Sequence, residues 1–390
     1  MRRVRLKEFG TFYSGLSGKS KSDFSEGNAL LVTYRNIFNN PVLNPAIKDT
    51  VVVGKDEKQN EVLWGDILIT GSSETPADAG MSSVVLFNPQ EKMYLNSFCF
   101  GFRLNDMNEA LPSYIGHLLR STSIRAAISK TAFGVTRFNV NRMRFADIEI
   151  PLPPLNIQKE IVSILDSFTS LIGKMKQEVE MRKKQMEYYR EKLMAPQTNW
   201  KIKTLGEIGT FTRGNGLQKS DFRVKGFPCV HYGQIHTYYN TCIYKTKSFC
   251  EEDLAKKLQK ASYGDLLIAT TSEDVKACCK AAVWFGAGDV AYSGDSFCYS
   301  HDQDPKYMAY LFQTEMFAKQ KQKAATGAKV IRVSGESMAS FSFAFPPLVQ
   351  QRQIASILDT FEIYISKLEK MIELRQKQYE YYREKLLTFE

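Results

Sequence analysis

At 390 residues the chain exceeds the size at which one hydrophobic core stops growing, so two domains plus connecting elements are expected; 43% hydrophobic content with 25 Phe and 19 Tyr excludes a disordered basic tail. Lys and Arg outnumber Asp and Glu by 52 to 42, a formal charge of +10 with a pI near 9.0, which favours a polyanionic partner over an acidic protein. No apolar run approaches the roughly 18 residues of a membrane span, and Met1-Arg-Arg-Val-Arg-Leu-Lys7 leads into Glu8 and Gly10 rather than an apolar leader, so a cytoplasmic location is expected.

In chain order, Val51 to Val53, Trp64-Gly-Asp-Ile-Leu-Ile69, Ser83 to Phe87 and Ser97 to Leu104 read as short strands, and Pro112 to Lys130 as an amphipathic helix. Pro151, Pro153 and Pro154 then stop the preceding strand and fix an extended lead-in. From there the apolar positions Ile161, Leu165, Phe168, Ile172, Met175, Val179, Met186, Tyr189 and Leu193 follow a heptad, interrupted at Arg182. Ala195-Pro-Gln-Thr-Asn199 ends that helix. The second half brings a strand at Tyr263-Gly-Asp-Leu-Leu-Ile268, a helix from Pro305 to Ala325, and prolines 346 and 347. Its closing heptad is Ile354, Leu358, Phe361, Ile365, Leu368, Ile372, Tyr379, Tyr382 and Leu386, interrupted at Arg375.

The two halves are copies. Glu187 to Leu193 returns unchanged as Glu380 to Leu386, and Ser163 to Asp166 as Ser356 to Asp359, both shifted by 193 positions. With no gap between the matches, each helix is a rigid element of fixed length. The globular parts align loosely: Glu8-Phe-Gly-Thr-Phe12 answers Glu207 to Phe211 and the Gly-Asp strands match at 199, while Lys21 to Phe24 answers Lys219 to Phe222 at 198. At Pro112 and Pro305 the offset is 193, so the first copy carries six extra residues between about Ser73 and Pro112.

The expected fold class is α/β (α+β): two pseudo-repeated mixed α/β domains separated by two long helices of about 40 residues that form an intramolecular antiparallel coiled coil. The seam arginines either snorkel to Glu178, Glu180 or Glu373 or help to select pairing direction and register. Tyr189 and Tyr382 fall on the seam; Tyr188 and Tyr381 point away from it, as partner contacts or local packing.

Enzymatic readings fare poorly. The seven cysteines include no Cys-x-x-Cys pair and six lie in the second half, so they read as reduced thiols; the spacings of Cys229, His231, His236 and Cys242 fit no zinc finger or ribbon. Asp265 with Asp274-Val-Lys276 imitates a metal-dependent nuclease, but the first copy lacks the lysine. Phe285-Gly-Ala-Gly-Asp289 precedes Val-Ala-Tyr-Ser rather than a helix, and neither an amino-methyltransferase string nor a phosphate loop is present. No catalytic residue, bound cofactor or metal site is expected in this chain.

The paired Pro-Pro-Leu to Ser-Ile-Leu-Asp lead-ins, the two Glu-Tyr-Tyr-Arg-Glu-Lys-Leu ends and the Gly-Asp strand of each half resemble the specificity subunit of type I restriction-modification systems over essentially the whole chain. The resemblance implies target recognition domains at 1–152 and 199–345, each reading half of a bipartite sequence in double-stranded DNA. Helices at 153–195 and 346–390 would act as the spacer. It also implies a non-catalytic scaffold for two methyltransferase subunits, which use S-adenosylmethionine, and optionally a motor-nuclease subunit. A coiled-coil adaptor for RNA or protein is the alternative.

Base and phosphate contacts are expected from polar residues in loops that align between the copies but differ in identity. In the first copy these are Lys19, Lys21, Tyr34, Arg35, Asn36, Ser72, Ser73, Thr136, Arg137 and Asn139. In the second they are Lys219, His231, Gln234, Thr271, Ser272, Lys276, Lys329 and Arg332. Arg35, Arg137, Asn36 and Gln234 are the preferred base readers, since Arg pairs with guanine and Asn or Gln with adenine. Tyr188, Arg190, Tyr381 and Arg383 are the candidate partner-docking residues.

Overall fold

The computed structural model describes residues 2–389. The chain forms two compact units: one runs up to Lys176 and adds the stretch from Lys370, and the other is Gln177–Glu369.

In the first unit, an antiparallel sheet takes its strands in the order Gly10–Ser14, Cys99–Leu104, Ile67–Thr70 and Ser82–Val84. Ile67, Leu68 and Ile69 are fully buried, as an apolar run on a central strand covered on both faces should be. Gly65 turns the chain into this strand at φ 86°, and buried Asp66 secures the turn. Its carboxylate accepts the Tyr13 hydroxyl at 2.6 Å, the Leu63 amide at 2.8 Å and two Arg103 N–H groups at 2.7 Å each. Burial next to that carboxylate raises the Tyr13 pKa, keeping the phenol a donor. A second sheet joins Thr50–Val51, Ala29–Val32 and Met93–Leu95. The first strand, Arg2–Arg5, pairs antiparallel with Glu149–Leu152, which runs into the first long helix.

The second unit repeats the plan with larger sheets. Gly209–Arg213, Ser296–His301, Leu266–Ala269, Lys280–Trp284 and Cys242–Ile243 make one, and Ser248–Cys250, Phe227–Val230, Val290–Tyr292 and Lys260–Ala261 the other. Here too the opening strand, Lys201–Thr204, pairs with the closing one, Ser342–Phe345. Strand registers locate the six extra residues of the first copy. Two lie after Val84, where eight residues reach Met93 against six from Val283 to Val290; four lie after Leu104, where seven reach Pro112 against three from His301 to Pro305.

The long helices are Leu155–Met194 and Leu348–Leu387, 40 residues each. Each is anchored by a fully buried glutamine in its first turn. Gln158 accepts the Leu111 amide and donates to the carbonyls of Glu109 and Pro153; Gln351 accepts the Asp304 amide and donates to Pro346 O and to Gln303. The first unit holds the first half of one helix with the last half of the other, and the second unit holds the reverse, so the pairing is antiparallel. Phe168 stacks on Tyr382 in one unit and Tyr189 on Phe361 in the other, at equivalent positions 193 apart. The two arginine interruptions each donate to the glutamine three residues on, Arg182 to Gln185 at 2.8 Å and Arg375 to Gln378 at 2.6 Å; Arg182 in addition reaches Glu178 at 3.5 Å and lies over the Tyr364 ring.

One expectation is corrected in both copies. The stretches read as single helices are each broken, into Pro112–Leu119 with Thr122–Ser129 and Pro305–Leu311 with Glu315–Ala324. The break frees N-terminal amides, and a carboxylate from the end of a long helix meets them: Thr122 N–H donates to Glu384 at 2.8 Å, and Glu315 N–H to Glu191 at 3.2 Å. An anion at a helix N-terminus is favourable both by hydrogen bonding and by the helix dipole. Glu384→Gln and Glu191→Gln should therefore each lower unfolding stability by ~0.3–1 kcal/mol, read by denaturant titration; no loss in either would show that the contact contributes nothing.

Candidate nucleic-acid interface

The segment after each Gly-Asp strand carries the site. In the first unit Ser72–Ser73 forms a short ladder with Phe138–Val140, which hairpins back to Ala132–Phe133 through Gly134 at φ 134°. In the second, Thr271–Ser272 pairs with Ile331–Arg332, and Gly327 at φ 102° makes the equivalent turn. Asn139 lies opposite Ser72 and Arg332 opposite Thr271, so Asn139 and Arg332 occupy one structural position with different side chains. Arg137 and Thr136 in one hairpin, and Lys329 in the other, are exposed.

In the first unit Tyr34, Ser72, Ser73, Thr136 and Arg137 converge on one cleft of about 600 Å³. Arg137 is pre-positioned there: its Nε donates to Ser72 Oγ at 3.0 Å and its guanidinium lies 5.3 Å from the Phe98 ring centroid. The residue is exposed, and the N–H groups of a guanidinium form the fork that matches a guanine edge. Arg35 is exposed on the short helix Tyr34–Asn39. Asn36, a preferred base reader, is already engaged within the fold. Its side chain accepts from Asn40 and from the Asn44 amide and donates to the Asn44 carbonyl, fixing the loop instead. Lys19 is likewise spent, paired with Glu57 and only 9% exposed, and that bond above all holds the Glu57 carboxyl down to about 2. Lys21 is exposed but lies outside the cleft.

The second set is less convergent. His231 caps the helix Tyr232–Thr237, accepting the Gly233 amide, and Gln234 closes the cap by accepting the His231 amide while donating to Ser248 at 2.7 Å. Gln234 is thus engaged within the fold in the same way as Asn36, its structural equivalent three residues into the helix. Burial and nearby Lys219 lower the His231 pKa, so the ring is neutral at physiological pH. His231 lines a cleft with Arg213, Tyr232 and Asp295, whereas Lys276 lines another; Lys219, exposed, belongs to neither. Thr271 bonds Asp295 and Ser272 accepts the Asp274 amide, leaving exposed Arg332 and Lys329 as the free polar groups of this hairpin.

Phe98 and its counterpart Asp295 were missed. Both precede the strand that flanks the Gly-Asp strand, and their carbonyls accept the amides of Gly71 and Thr270. They differ in identity at a shared place, though Phe98 is apolar and so falls outside the polar criterion applied elsewhere. The offset shifts from 199 to 197 just before them, which hid the match.

Asp265 accepts the Ser262 amide and Asp274 the Lys276 amide, so the two carboxylates of the nuclease reading serve separate turns. Among the described residues no three His, Cys, Asp or Glu side chains are grouped to hold a metal ion.

On the long helices, Tyr188 and Tyr381 are 59% and 61% exposed. The Arg190 and Arg383 side chains, the other candidate docking residues, are only 14% and 16% exposed, and each pairs with the glutamate that caps a domain helix, Glu191 or Glu384. Further exposed apolar residues recur in matched pairs 193 apart: Ile164 and Ile357, Leu171 and Tyr364, Met181 and Leu374. Each unit consequently holds one full set.

The chain matches the family described as type I restriction modification DNA specificity domain, over residues 1–181 and again over 197–376. A putative type I restriction enzyme specificity subunit of Haemophilus influenzae is 30% identical over 272 residues, covering 66% of this chain and 68% of that protein. The EcoR124I/EcoR124II specificity subunit of Escherichia coli is 28% identical over 256 residues, 62% of this chain and 63% of that one. The alignments thus span about two thirds of these relatives. The crystal structure of a type I restriction-modification S subunit from M. genitalium has the same fold, with a TM-score of 0.57 at 15% identity, covering 100% of this chain and 96% of that one. A chain from a study of assembly and conformational transition in the type I system gives 0.59 at 14% identity, covering 99% and 97%.

Proposed function

We propose, for a chain that belongs to the type I restriction-modification specificity family and carries its DNA specificity domain twice, that each unit reads one half of a bipartite duplex target while the paired helices set the gap between half-sites. One observation carries the reading: two hairpins hold the same place beside the same strand, yet expose Thr136, Arg137 and Asn139 in one copy and Lys329 and Arg332 in the other. A common frame with unlike polar tips suits two different sequences. Lys and Arg on phosphates supply affinity that weakens with salt.

The chain itself performs no chemistry in this reading. Methyl transfer from S-adenosylmethionine belongs to a partner, and the matched apolar sets around Tyr188 and Tyr381 would receive two identical methyltransferase subunits in equivalent ways. A motor-nuclease subunit would join such an assembly. Selection from a random duplex library by the chain with its methyltransferase should return a split motif; a continuous motif, or none, defeats the proposal.

Arg137→Ala should cost ~1–3 kcal/mol of binding and relax preference in the first half-site only. Competition binding against duplexes altered in one half-site checks this. Equal weakening on all sequences would make Arg137 a phosphate contact.

A further inference from the structure

Cys278 and Cys279 are neighbours whose Sγ atoms stand 3.9 Å apart. Cys279 has φ 61°, the sole non-glycine residue with positive φ among those described. In register with the Gly-Asp strands, 199 positions back, the first unit has Ala79 and Gly80, and Gly80 sits at φ 69°. The left-handed backbone is natural for glycine and strained for a residue with a side chain. The second unit keeps a turn suited to glycine and mounts a thiol on it.

Two of the backbone carbonyls are held by a cation in both copies, which does not call for thiols. Arg125 donates to the carbonyls of Ala77, Ala79 and Gly80; Lys321 Nζ donates to those of Lys276 and Cys278, the equivalents of Ala77 and Ala79. What the cysteines add is reactivity. The Cys279 thiol donates to Cys278, and with desolvation opposing and the Lys321 ammonium assisting, the net effect is a lowered Cys278 pKa. Both residues are buried in the protein yet form part of the wall of a cleft of about 570 Å³, together with Lys276, Phe312 and Lys321. The pair also holds the end of the Gly-Asp strand. Cys278 Sγ–H donates to Thr270 O at 3.2 Å and the Cys279 amide to Ala269 O at 2.8 Å, directly before Thr271 and Ser272.

We propose that Cys278 and Cys279 are a reversible oxidation site, closed to a vicinal disulfide by hydrogen peroxide and reopened by a dithiol, which governs how firmly the recognition segment Thr271 to Lys276 is held. The Cys278 thiolate attacks one peroxide oxygen, breaking the O–O bond, and becomes a sulfenic acid while the other oxygen leaves as hydroxide and is protonated to water. The Cys279 sulfur then attacks the sulfenic sulfur, its proton leaves with the departing oxygen as a second water, and the S–S bond forms. Both electrons lost by the thiols reside in the two waters. An S–S bond is about 2.0 Å long, so closure draws Cys278 off the Thr270 carbonyl and shifts the strained Cys279 backbone. The first unit has no counterpart, so the effect falls on one half-site.

The consequence for binding rests on the DNA-reading proposed above; the chemistry does not. Full-length chain treated with peroxide, denatured, alkylated and digested should give a peptide spanning Cys278 and Cys279 that carries no alkyl group and has lost two hydrogens, and dithiothreitol should restore it. Amide exchange should quicken across Thr271 to Lys276, and affinity should fall by roughly tenfold through the second half-site alone. Cys279→Gly, which installs the first unit's residue, should fold normally and lose the response. Full alkylation of both thiols after peroxide overturns the proposal, as does an equal response in Cys279→Gly. If even the reduced chain ignores its target duplex, the DNA-reading fails, while peptide mass and amide exchange still decide the thiol pair.

Discussion

Leu165→Ala and Leu358→Ala should each destabilise the fold by ~2–5 kcal/mol. The two leucines are equivalent positions 193 apart, and both are fully buried. Leu165 belongs to the core that holds Ile161, Ile172 and Tyr379, and Leu358 to the one that holds Met194, Ile354 and Tyr310. Each therefore closes a long helix onto its partner helix and onto a domain at once, and truncation leaves a cavity that neighbours on three elements cannot all collapse to fill. Denaturant midpoints for the two single variants measure this. A loss under about 1 kcal/mol in either would mean that the seam is not sealed at that point.

Insertion of one heptad into both long helices, after Lys176 and after Glu369 where the two units divide, should lengthen the preferred gap between half-sites by up to about three base pairs, since seven helical residues add roughly 10 Å against 3.4 Å per base pair. Neither half-site sequence should change. An insertion into the first helix alone should instead destabilise the chain, because the stacks of Phe168 on Tyr382 and Tyr189 on Phe361 could not both stay in register. Sequencing of methylated sites in cells expressing each variant with its methyltransferase reads the gap directly; an unchanged gap in the doubly extended variant would refute the spacer role.

The long helices were legible because their information is periodic and duplicated: a heptad of apolar residues and a proline lead-in recur at one offset. Breaks in the shorter helices were not. Arg120 and Ser121 carry no strong helix-stopping signal, and the Glu384 carboxylate that rewards the interruption lies more than two hundred residues away. Arg137 could be singled out because it is a fork-shaped donor in a loop that differs between copies. Asn36 and Gln234 satisfied the same rule, yet both are engaged by the fold, since an amide three residues into a short helix can serve the local backbone better than solvent. Side-chain identity announces what a group can bond, while only folding reveals whether a neighbour has already claimed it.

In each half the first strand lies against the last, Arg2–Arg5 on Glu149–Leu152 and Lys201–Thr204 on Ser342–Phe345. In the second half the polypeptide thus leaves one long helix and joins the other at a single doorway. Whatever lies between can be exchanged for another module with neighbouring ends that also meets the helices as these domains do, at the Gln158 and Gln351 sockets and at the Glu384 and Glu191 carboxylates. Such a chain could acquire a new word in its vocabulary by recombination at the doorway, without relearning its grammar.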